Sequence, residues 1–417
     1  MQIIRKEIAN GVFFSNIKTD KYKTARLSVN FALPLNEETA TDYSLVFAYL
    51  RMNSRKFSSF IDLNKKLSDL YGAALYDDTA KIGDMQVLSL ATNFLCGSSV
   101  NSEEIQGEVS NLLLSILFEP KIIKNAFLKE EMNTQRENLK EEILSEINDK
   151  RRYALRRSIE ILFENQPFSV SSVGNIDKIY SSSEEKLYER YQNILKTAVV
   201  EIVYDGPDNT EIMEKRFSER FSDIIDRNPI KIENSNLVKI SAKSVSENME
   251  VGQAKEVIIY SLPNYDFSIF RVMSSLFGGN PFSMLFRTVR EEKSLCYYCS
   301  SSLVKSKNIM LVESGVDNAK TEETYEAITE ELDKLKNGEF SDEALIDTKK
   351  YLISGIRTIE DSPGAFAGRY LSSLFLNEPL ENEAQRIESV TKEDVVKAAN
   401  GIELQLRYCL KGGVVGE

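Results

Sequence analysis

The sequence of 417 residues contains no histidine and only four cysteines. Imidazole is the commonest zinc ligand and the usual general base near neutral pH. The absence of histidine therefore excludes metal sites ligated by histidine and nucleophiles activated by it. Four cysteines in a chain of this length are also too few for a disulfide framework.

Long apolar runs and concentrated basic charge are missing as well. No segment approaches the 18 apolar residues of a membrane span, and residues 1–7 lack the apolar core of a secretion signal. The formal net charge is −12, and the basic cluster at residues 150–157 lies in a predicted helix rich in glutamate. Phosphate binding needs a concentrated basic face. We therefore expect a cytoplasmic protein with neither a membrane nor a nucleic acid as partner.

Cys296 and Cys299 have the C-x-x-C spacing of some metal and redox sites, within a predicted strand. Residues three apart on a regular strand point to opposite faces, so we do not expect these two thiols to hold one ion. Cys96 and Cys409 do not supply a second pair with zinc-finger spacing. The sequence thus predicts no cofactor.

The two halves of the chain repeat one order of elements. Each half opens with an apolar stretch that predicts a strand, at residues 25–34 and 256–263. Each closes with another, at residues 198–204 and 404–410. This order indicates an internal duplication.

In both halves a long charged helix ends in a similar way, at residues 158–167 and 372–379. Strands that arrive in hairpins between long helices predict the α+β class, with two tandem homologous domains that each pack helices on one face of an antiparallel sheet. We place the domains at residues 1–225 and 252–417, joined by a linker at residues 226–251 without apolar periodicity. Two such domains would enclose a space suited to a binding site.

Residues 277–298 read FGGNPFSMLFRTVREEKSLCYY. This segment resembles the C-terminal half-motif of the M16 family, which includes insulinase, pitrilysin and the mitochondrial processing peptidase. A glycine pair, leucine-phenylalanine, arginine-glutamate and leucine-x-tyrosine follow one another in the family's order. With the duplication and the hairpin order, the resemblance covers nearly the whole chain and implies the LuxS/MPP-like metallohydrolase fold.

In M16 peptidases an arginine and a tyrosine seven residues later reach towards the substrate carbonyl, and Arg290 and Tyr297 have this spacing. Guanidinium and phenol groups both donate hydrogen bonds to a peptide carbonyl or a developing oxyanion. The resemblance implies that both residues bind substrate. Spacing alone favours another interpretation, in which Arg290 pairs with Glu291 or Glu292 and Tyr297 fills a half-buried strand position.

Active M16 chains bind zinc through H-x-x-E-H on an early helix and a glutamate on a later helix. The resemblance places the motif at Ser44, Phe47 and Ala48, and the third ligand near Glu142. One carboxylate cannot build a tetrahedral zinc site or generate a bound hydroxide. We therefore expect no metal, a Glu142 on the surface, and no peptide hydrolysis by this chain alone.

M16 chains of this size often work in pairs in which one chain carries zinc and the other does not. Loss of the zinc motif with retention of Arg290 and Tyr297 resembles the non-catalytic member, and more narrowly the YmfF-type bacterial chains that pair with a zinc-bearing YmfH-type sibling. The favoured hypothesis is a peptide-binding, non-catalytic subunit of such a heterodimer. The alternative is a stand-alone peptide-binding or scaffold protein, as a homodimer.

Residues 73–79 predict a strand that would bind an extended peptide by strand addition if it lay at a sheet edge. The ordinary interpretation of these residues is an inner strand of the sheet, and the sequence does not separate the two positions. A metal-independent enzyme would need a nucleophile activated without histidine, and no residue is singled out for that role.

Overall fold

The computed structural model describes residues 2–57, 59–97, 100–231, 233–235, 241–360, 363–378 and 380–413. In chain order the elements are β1 (Gln2–Ala9), β2 (Val12–Lys18), β3 (Thr24–Pro34), α1 (Ala40–Met52), α2 (Phe60–Asp69), β4 (Ala74–Ile82), β5 (Met85–Leu95), α3 (Ser102–Phe118), β6 (Ile122–Ile123), β7 (Ala126–Phe127), α4 (Lys129–Asn148), α5 (Lys150–Leu162), α6 (Glu184–Thr197), β8 (Val199–Gly206), α7 (Glu211–Ser222), β9 (Lys243–Met249), β10 (Ala254–Ser261), α8 (Phe267–Ser274), β11 (Cys296–Val304), β12 (Ile309–Val316), α9 (Thr321–Lys336), α10 (Asp342–Glu360), α11 (Pro363–Phe375), α12 (Glu383–Ser389), α13 (Lys392–Gly401) and β13 (Glu403–Gly412).

Caps and apolar spacing explain where the helices lie. At the start of α6 the Ser183 hydroxyl accepts a hydrogen bond from the backbone N–H of Lys186, and Leu187, Tyr191 and Ile194 form its buried stripe. Thr391 and Asp394 form a capping box at the start of α13. Within the described part of the chain, no helix has both the length and the apolar character needed to cross a membrane.

Two sheets of matching topology organise the chain. The first has the order β1-β2-β8-β3-β5-β4 and the second the order β11-β12-β10-β13-β9. Neighbouring strands are antiparallel except for β2 with β8 and β9 with β13, which are parallel. The two parallel pairs join strands that are distant in sequence, as a parallel connection requires. β4 and β11 occupy equivalent edges, so the predicted α+β duplication is confirmed at the level of strand order.

The chain divides into two compact units that interleave in sequence. As far as they are described, the first contains residues Met1–Leu144, Val170–Asn234 and Glu360–Glu378, and the second contains Ser145–Ser169, Ser235–Ile359 and Pro379–Glu417. The predicted boundaries instead follow chain order. β9 lies inside the segment predicted as a linker, because only Val245 and Met249 among its seven residues are apolar, too few to mark a strand in the sequence.

Each sheet has helices on both faces. In the second unit, α8, α9 and α13 cover one face, and α5 covers the other through an apolar cluster with β10 and β13. In the first unit, α11 packs on β8 and β3, opposite the face where Phe31 meets Phe47 of α1 and Phe221 of α7. The sequence predicted one covered face. The second cover comes in each unit from the other half of the chain. Helix α5 precedes β8, the last strand of the first sheet, but packs on the second sheet, and α11 follows β12 of the second sheet but packs on the first.

Candidate functional site

Ser44, Phe47 and Ala48, the positions predicted for the lost zinc motif, lie on α1. The Ser44 hydroxyl donates a hydrogen bond to the backbone oxygen of Ser172 at 3.2 Å. Phe47 is buried, and its ring meets that of Phe31 edge-to-face with 5.4 Å between centroids. Ala48 is half-buried. Ser44 and Phe47 thus take part in packing within the first unit.

Glu142 lies on the exposed side of α4, whose buried residues include Leu139 and Ile143. Among the residues that the structure describes, no group of three or more cysteine, aspartate or glutamate side chains could hold a metal ion. A zinc ion needs four ligands in tetrahedral geometry, usually cysteine, histidine or carboxylate. The residues at the M16 zinc positions do not fit the metal.

Arg290 lies in a π-helical turn, Phe286–Glu292, that packs against β11. Its side chain is exposed, and the guanidinium carbon is 4.6 Å from the centroid of the Phe286 ring. No ion pair joins Arg290 to Glu291 or Glu292 in the described part of the chain. The helix-surface pairing that the spacing favours is therefore not formed, and the N–H donors of Arg290 face solvent.

Tyr297 is the extra residue of a β-bulge on the edge strand β11. Cys296 lies opposite Val316 and Tyr298 opposite Gly315, so Tyr297 has no partner on β12. Bulges change the direction of a side chain and are frequent next to functional sites. The Tyr297 side chain is 61% exposed, so it does not fill a half-buried strand position.

Tyr298, the next residue, stabilises the bulge from the face of β11 opposite to the one that carries Cys296 and Cys299. A Cβ atom on Gly315 would lie 2.3 Å from a Tyr298 ring carbon, which shows that the ring lies directly on the glycine. The Arg151 guanidinium stacks on the same ring at 4.4 Å and pairs with Glu313 at 3.2 Å. Helix α5, which carries Arg151, therefore supports the strand that presents Tyr297.

The bulge also overturns the expectation that Cys296 and Cys299 point to opposite faces. One inserted residue shifts the alternation, so both thiols enter the same apolar core as Val312 and Val316. A hydrogen bond from Cys299 lowers the pKa of the Cys296 thiol, and the charge of Arg290 acts in the same direction. That bond and burial raise the pKa of Cys299.

Strand β4 lies at the free edge of the first sheet, where β5 is its partner. This settles the choice between an edge and an inner strand that residues 73–79 left open. Tyr76 on β4 is 46% exposed, and Asp77 forms an ion pair with Arg51 at 2.7 Å. An extended peptide can pair with the free backbone groups of such an edge.

Sequence reasoning missed two buried carboxyl groups on β8. Glu201 accepts hydrogen bonds from Arg5 and from Ser15, the latter at 2.6 Å. Asp205 is 2% exposed, and neither of its side-chain oxygens has a hydrogen-bond partner among the described residues. Burial raises the pKa of Asp205 to about 7, against the effect of Arg26. The signal was present, since two acidic residues four apart in an apolar strand share one face.

Comparison with known proteins agrees with this geometry. Residues 181–352 match the family model described as Peptidase M16 inactive domain. The chain is 28% identical over 404 residues to the probable inactive metalloprotease YmfF of Bacillus subtilis (strain 168), with 95% of each chain covered.

Solved structures share the fold. A conserved protein from Enterococcus faecalis V583 superimposes with a TM-score of 0.89 at 25% identity, and 100% of both chains is covered. A peptidase M16 inactive domain from Pseudomonas fluorescens gives a TM-score of 0.80 at 15% identity, also with 100% of both chains covered. The chain is thus similar over nearly its whole length to a probable inactive metalloprotease, and its central part matches the model of the inactive M16 domain.

Proposed function

We propose that this chain is the peptide-binding, non-catalytic subunit of a heterodimeric M16-type zinc metallopeptidase in the cytoplasm. The partner is a zinc-bearing sibling with H-x-x-E-H, of the YmfH type, and this chain contributes Arg290 and Tyr297 to the partner's chamber. The observation that carries the proposal is the exposure of both donors in a chain that contains no histidine to bind zinc.

Exposure and chemistry support the assignment of these two residues. An arginine that only stabilised the fold would pair with a neighbouring carboxylate, and two glutamates follow Arg290 directly. Its guanidinium stacks on Phe286 instead, which leaves the N–H groups available to a carbonyl oxygen. The bulge turns the Tyr297 phenol outward on an edge strand. Both groups donate hydrogen bonds, as polarisation of a peptide carbonyl requires.

The peptide itself would bind as an added strand. β4 and β11 occupy equivalent edges of the two sheets, each with one neighbouring strand among the described residues. Main-chain hydrogen bonds of this kind give affinity with little dependence on peptide sequence. A subunit that holds peptides in this way needs no metal of its own.

The first test is an affinity pull-down of the tagged chain from its own cells, with bound polypeptides identified by mass spectrometry. We expect a chain of similar size that carries H-x-x-E-H, in near-equal amount. Recovery of the tagged chain alone, as a homodimer, would contradict the heterodimer and favour a stand-alone peptide-binding protein.

The second test uses the reconstituted pair. Arg290→Ala should reduce peptide hydrolysis by about a hundredfold, since loss of one donor to a developing oxyanion costs roughly 3 kcal/mol. Arg287→Ala is the matched control, because Arg287 is an exposed arginine of the same π-helical turn. Equal turnover by the two variants would exclude Arg290 from substrate binding.

A further inference from the structure

The bulge on β11 brings two thiols together that a regular strand would separate. Cys296 lies opposite Val316 and Cys299 opposite Ser314, so both cysteines follow the same face of β12. Both thiols lie in the same apolar core of the second unit, and each affects the pKa of the other. The pair is close in space because Tyr297 is inserted between its members, and all four cysteines are free thiols in this structure.

The spacing is compatible with a covalent bond. Residues two register positions apart on one strand face are separated by about 6.6 Å between Cα atoms. Disulfides span about 4.4–6.8 Å between Cα atoms and about 3.5–4.5 Å between Cβ atoms, so the bulge must contract to bring the two sulfur atoms to bonding distance. We propose that Cys296 and Cys299 form a reversible disulfide across the bulge, which makes this strand an oxidation-sensitive element of the second unit. The proposal does not depend on peptide binding or on a partner chain.

Cys296 is the thiol that an oxidant meets first. It is 9% exposed, compared with 5% for Cys299, and Arg290 places a positive charge near it. Cationic surroundings favour the thiolate, which is the reactive form. The other two thiols lack these features, because burial raises the pKa of Cys96 and of Cys409 to about 11.

With a peroxide as oxidant, the chemistry runs in two steps. The Cys296 thiolate attacks one peroxide oxygen, the O–O bond breaks, and a sulfenic acid forms while the second oxygen leaves as water after protonation. The Cys299 sulfur then attacks the Cys296 sulfur, the S–O bond breaks, and a second water leaves. The two thiols lose two electrons and two protons to hydrogen peroxide, and a dithiol reductant reverses the change by exchange.

Disulfide formation should move Tyr297. The bulged residue lies between the two cysteines, so contraction of the bulge must alter its backbone angles and hence the direction of its side chain. The chain contains no tryptophan. A Tyr297→Trp variant therefore places a single indole at the bulge, and its fluorescence reports the movement.

The test is treatment of the folded full-length chain with hydrogen peroxide, followed by intact mass measurement and peptide mapping. We expect the loss of two hydrogen atoms, located in a disulfide between Cys296 and Cys299. This should occur at least about tenfold faster than modification of Cys96 or Cys409, which are 4% and 3% exposed and serve as controls in the same molecule. Equal rates at all four thiols, or sulfinic acid on Cys296 without a disulfide, would overturn the proposal.

Two variants sharpen the test. In Cys299→Ser the resolving thiol is absent, so Cys296 should stop at a sulfenic acid that a 1,3-dione probe captures. In Tyr297→Trp, peroxide should shift the emission maximum and a dithiol should restore it, whereas Tyr297→Trp/Cys299→Ser should show no such reversible shift. A shift of equal size in the double variant would mean that the bulge does not respond to the disulfide.

Discussion

The Tyr370 hydroxyl on α11 lies 2.8 Å from the Ser15 hydroxyl on β2, although 355 positions separate them in sequence. Ser15 gives its own hydrogen to Glu201 at 2.6 Å, so Tyr370 is the donor to Ser15. Arg5 also forms an ion pair with Glu201, at 2.9 Å. A chain of donors thus ends on a buried carboxylate and fixes the late helix α11 to the early strand β2.

Loss of the Tyr370 hydroxyl should loosen this attachment. Tyr370→Phe removes one donor and leaves Ser15 with its bond to Glu201. We expect the free energy of unfolding to fall by about 1 kcal/mol, as urea denaturation would measure. Tyr351→Phe is the control, because the Tyr351 side chain is 45% exposed. An equal effect of both substitutions would show that the Tyr370–Ser15 bond adds no stability.

Asp205 should make stability depend on pH. Its pKa is about 7 in the folded chain and 3.8 as the ordinary value, so the folded state binds the proton more tightly. The contribution to stability is complete below about pH 4, declines as the pH rises, and is lost above about pH 7. Asp205→Asn removes this dependence. The free energy of unfolding of the variant, relative to that of the natural chain, should therefore rise by roughly 2 kcal/mol between pH 5 and pH 8.

Chemical denaturation of both chains at pH 5 and pH 8 measures that gain directly. Other titrating groups are common to both chains and cancel in the difference. A difference between the two chains that stays constant with pH would mean that Asp205 keeps its ordinary pKa in the folded state.

Restoration of the zinc motif should destabilise the fold rather than recover a metal site. Phe47→Glu replaces an aromatic ring that is 3% exposed with a carboxylate that has no partner. We expect a loss of at least about 3 kcal/mol in a thermal unfolding measurement. Ala48→Glu should cost less, since Ala48 is half-buried. Equal costs would show that α1 can rotate to expose either position.

Gly315 should be intolerant of a side chain. In Gly315→Ala the new methyl group would lie 2.3 Å from the Tyr298 ring, and such overpacking costs about 1–3 kcal/mol. Gly355→Ala is a contrasting control, because nothing lies within 4 Å of its Cβ position in α10. That substitution should stabilise the chain by about 0.5–1 kcal/mol. A neutral Gly315→Ala in urea denaturation would mean that Tyr298 moves aside freely.

The fold class was predictable because its signals are local. Apolar strands, caps and the repeated order of elements are all read within short windows, and the segment at residues 277–298 is specific enough to indicate the family. The absence of histidine ligands was visible in the sequence itself, because it depends on composition alone.

Three features depend on contacts between distant residues, so no short stretch of the sequence indicates them. An edge strand and an inner strand share the same composition, so β4 could not be placed. The bulge at Tyr297 depends on which residues of β12 lie opposite Cys296 and Tyr298. The prediction for the cysteine pair was wrong because it assumed regular alternation. The packing of α5 and α11 joins segments that are far apart in the sequence.

Because each unit takes a helix from the other half, synthesis on the ribosome completes them at different times. Helix α5 is made before β10 and β13, so the apolar face with Ile259 and Leu406 finds its cover already present. The first sheet must wait for α11, which at about 5–20 residues per second takes on the order of ten seconds. The face left open for that time carries Ser15, Glu201 and Asp205. The face exposed to water during translation is therefore the polar face of the first sheet. The apolar face of the second sheet is covered by α5 as soon as its strands form.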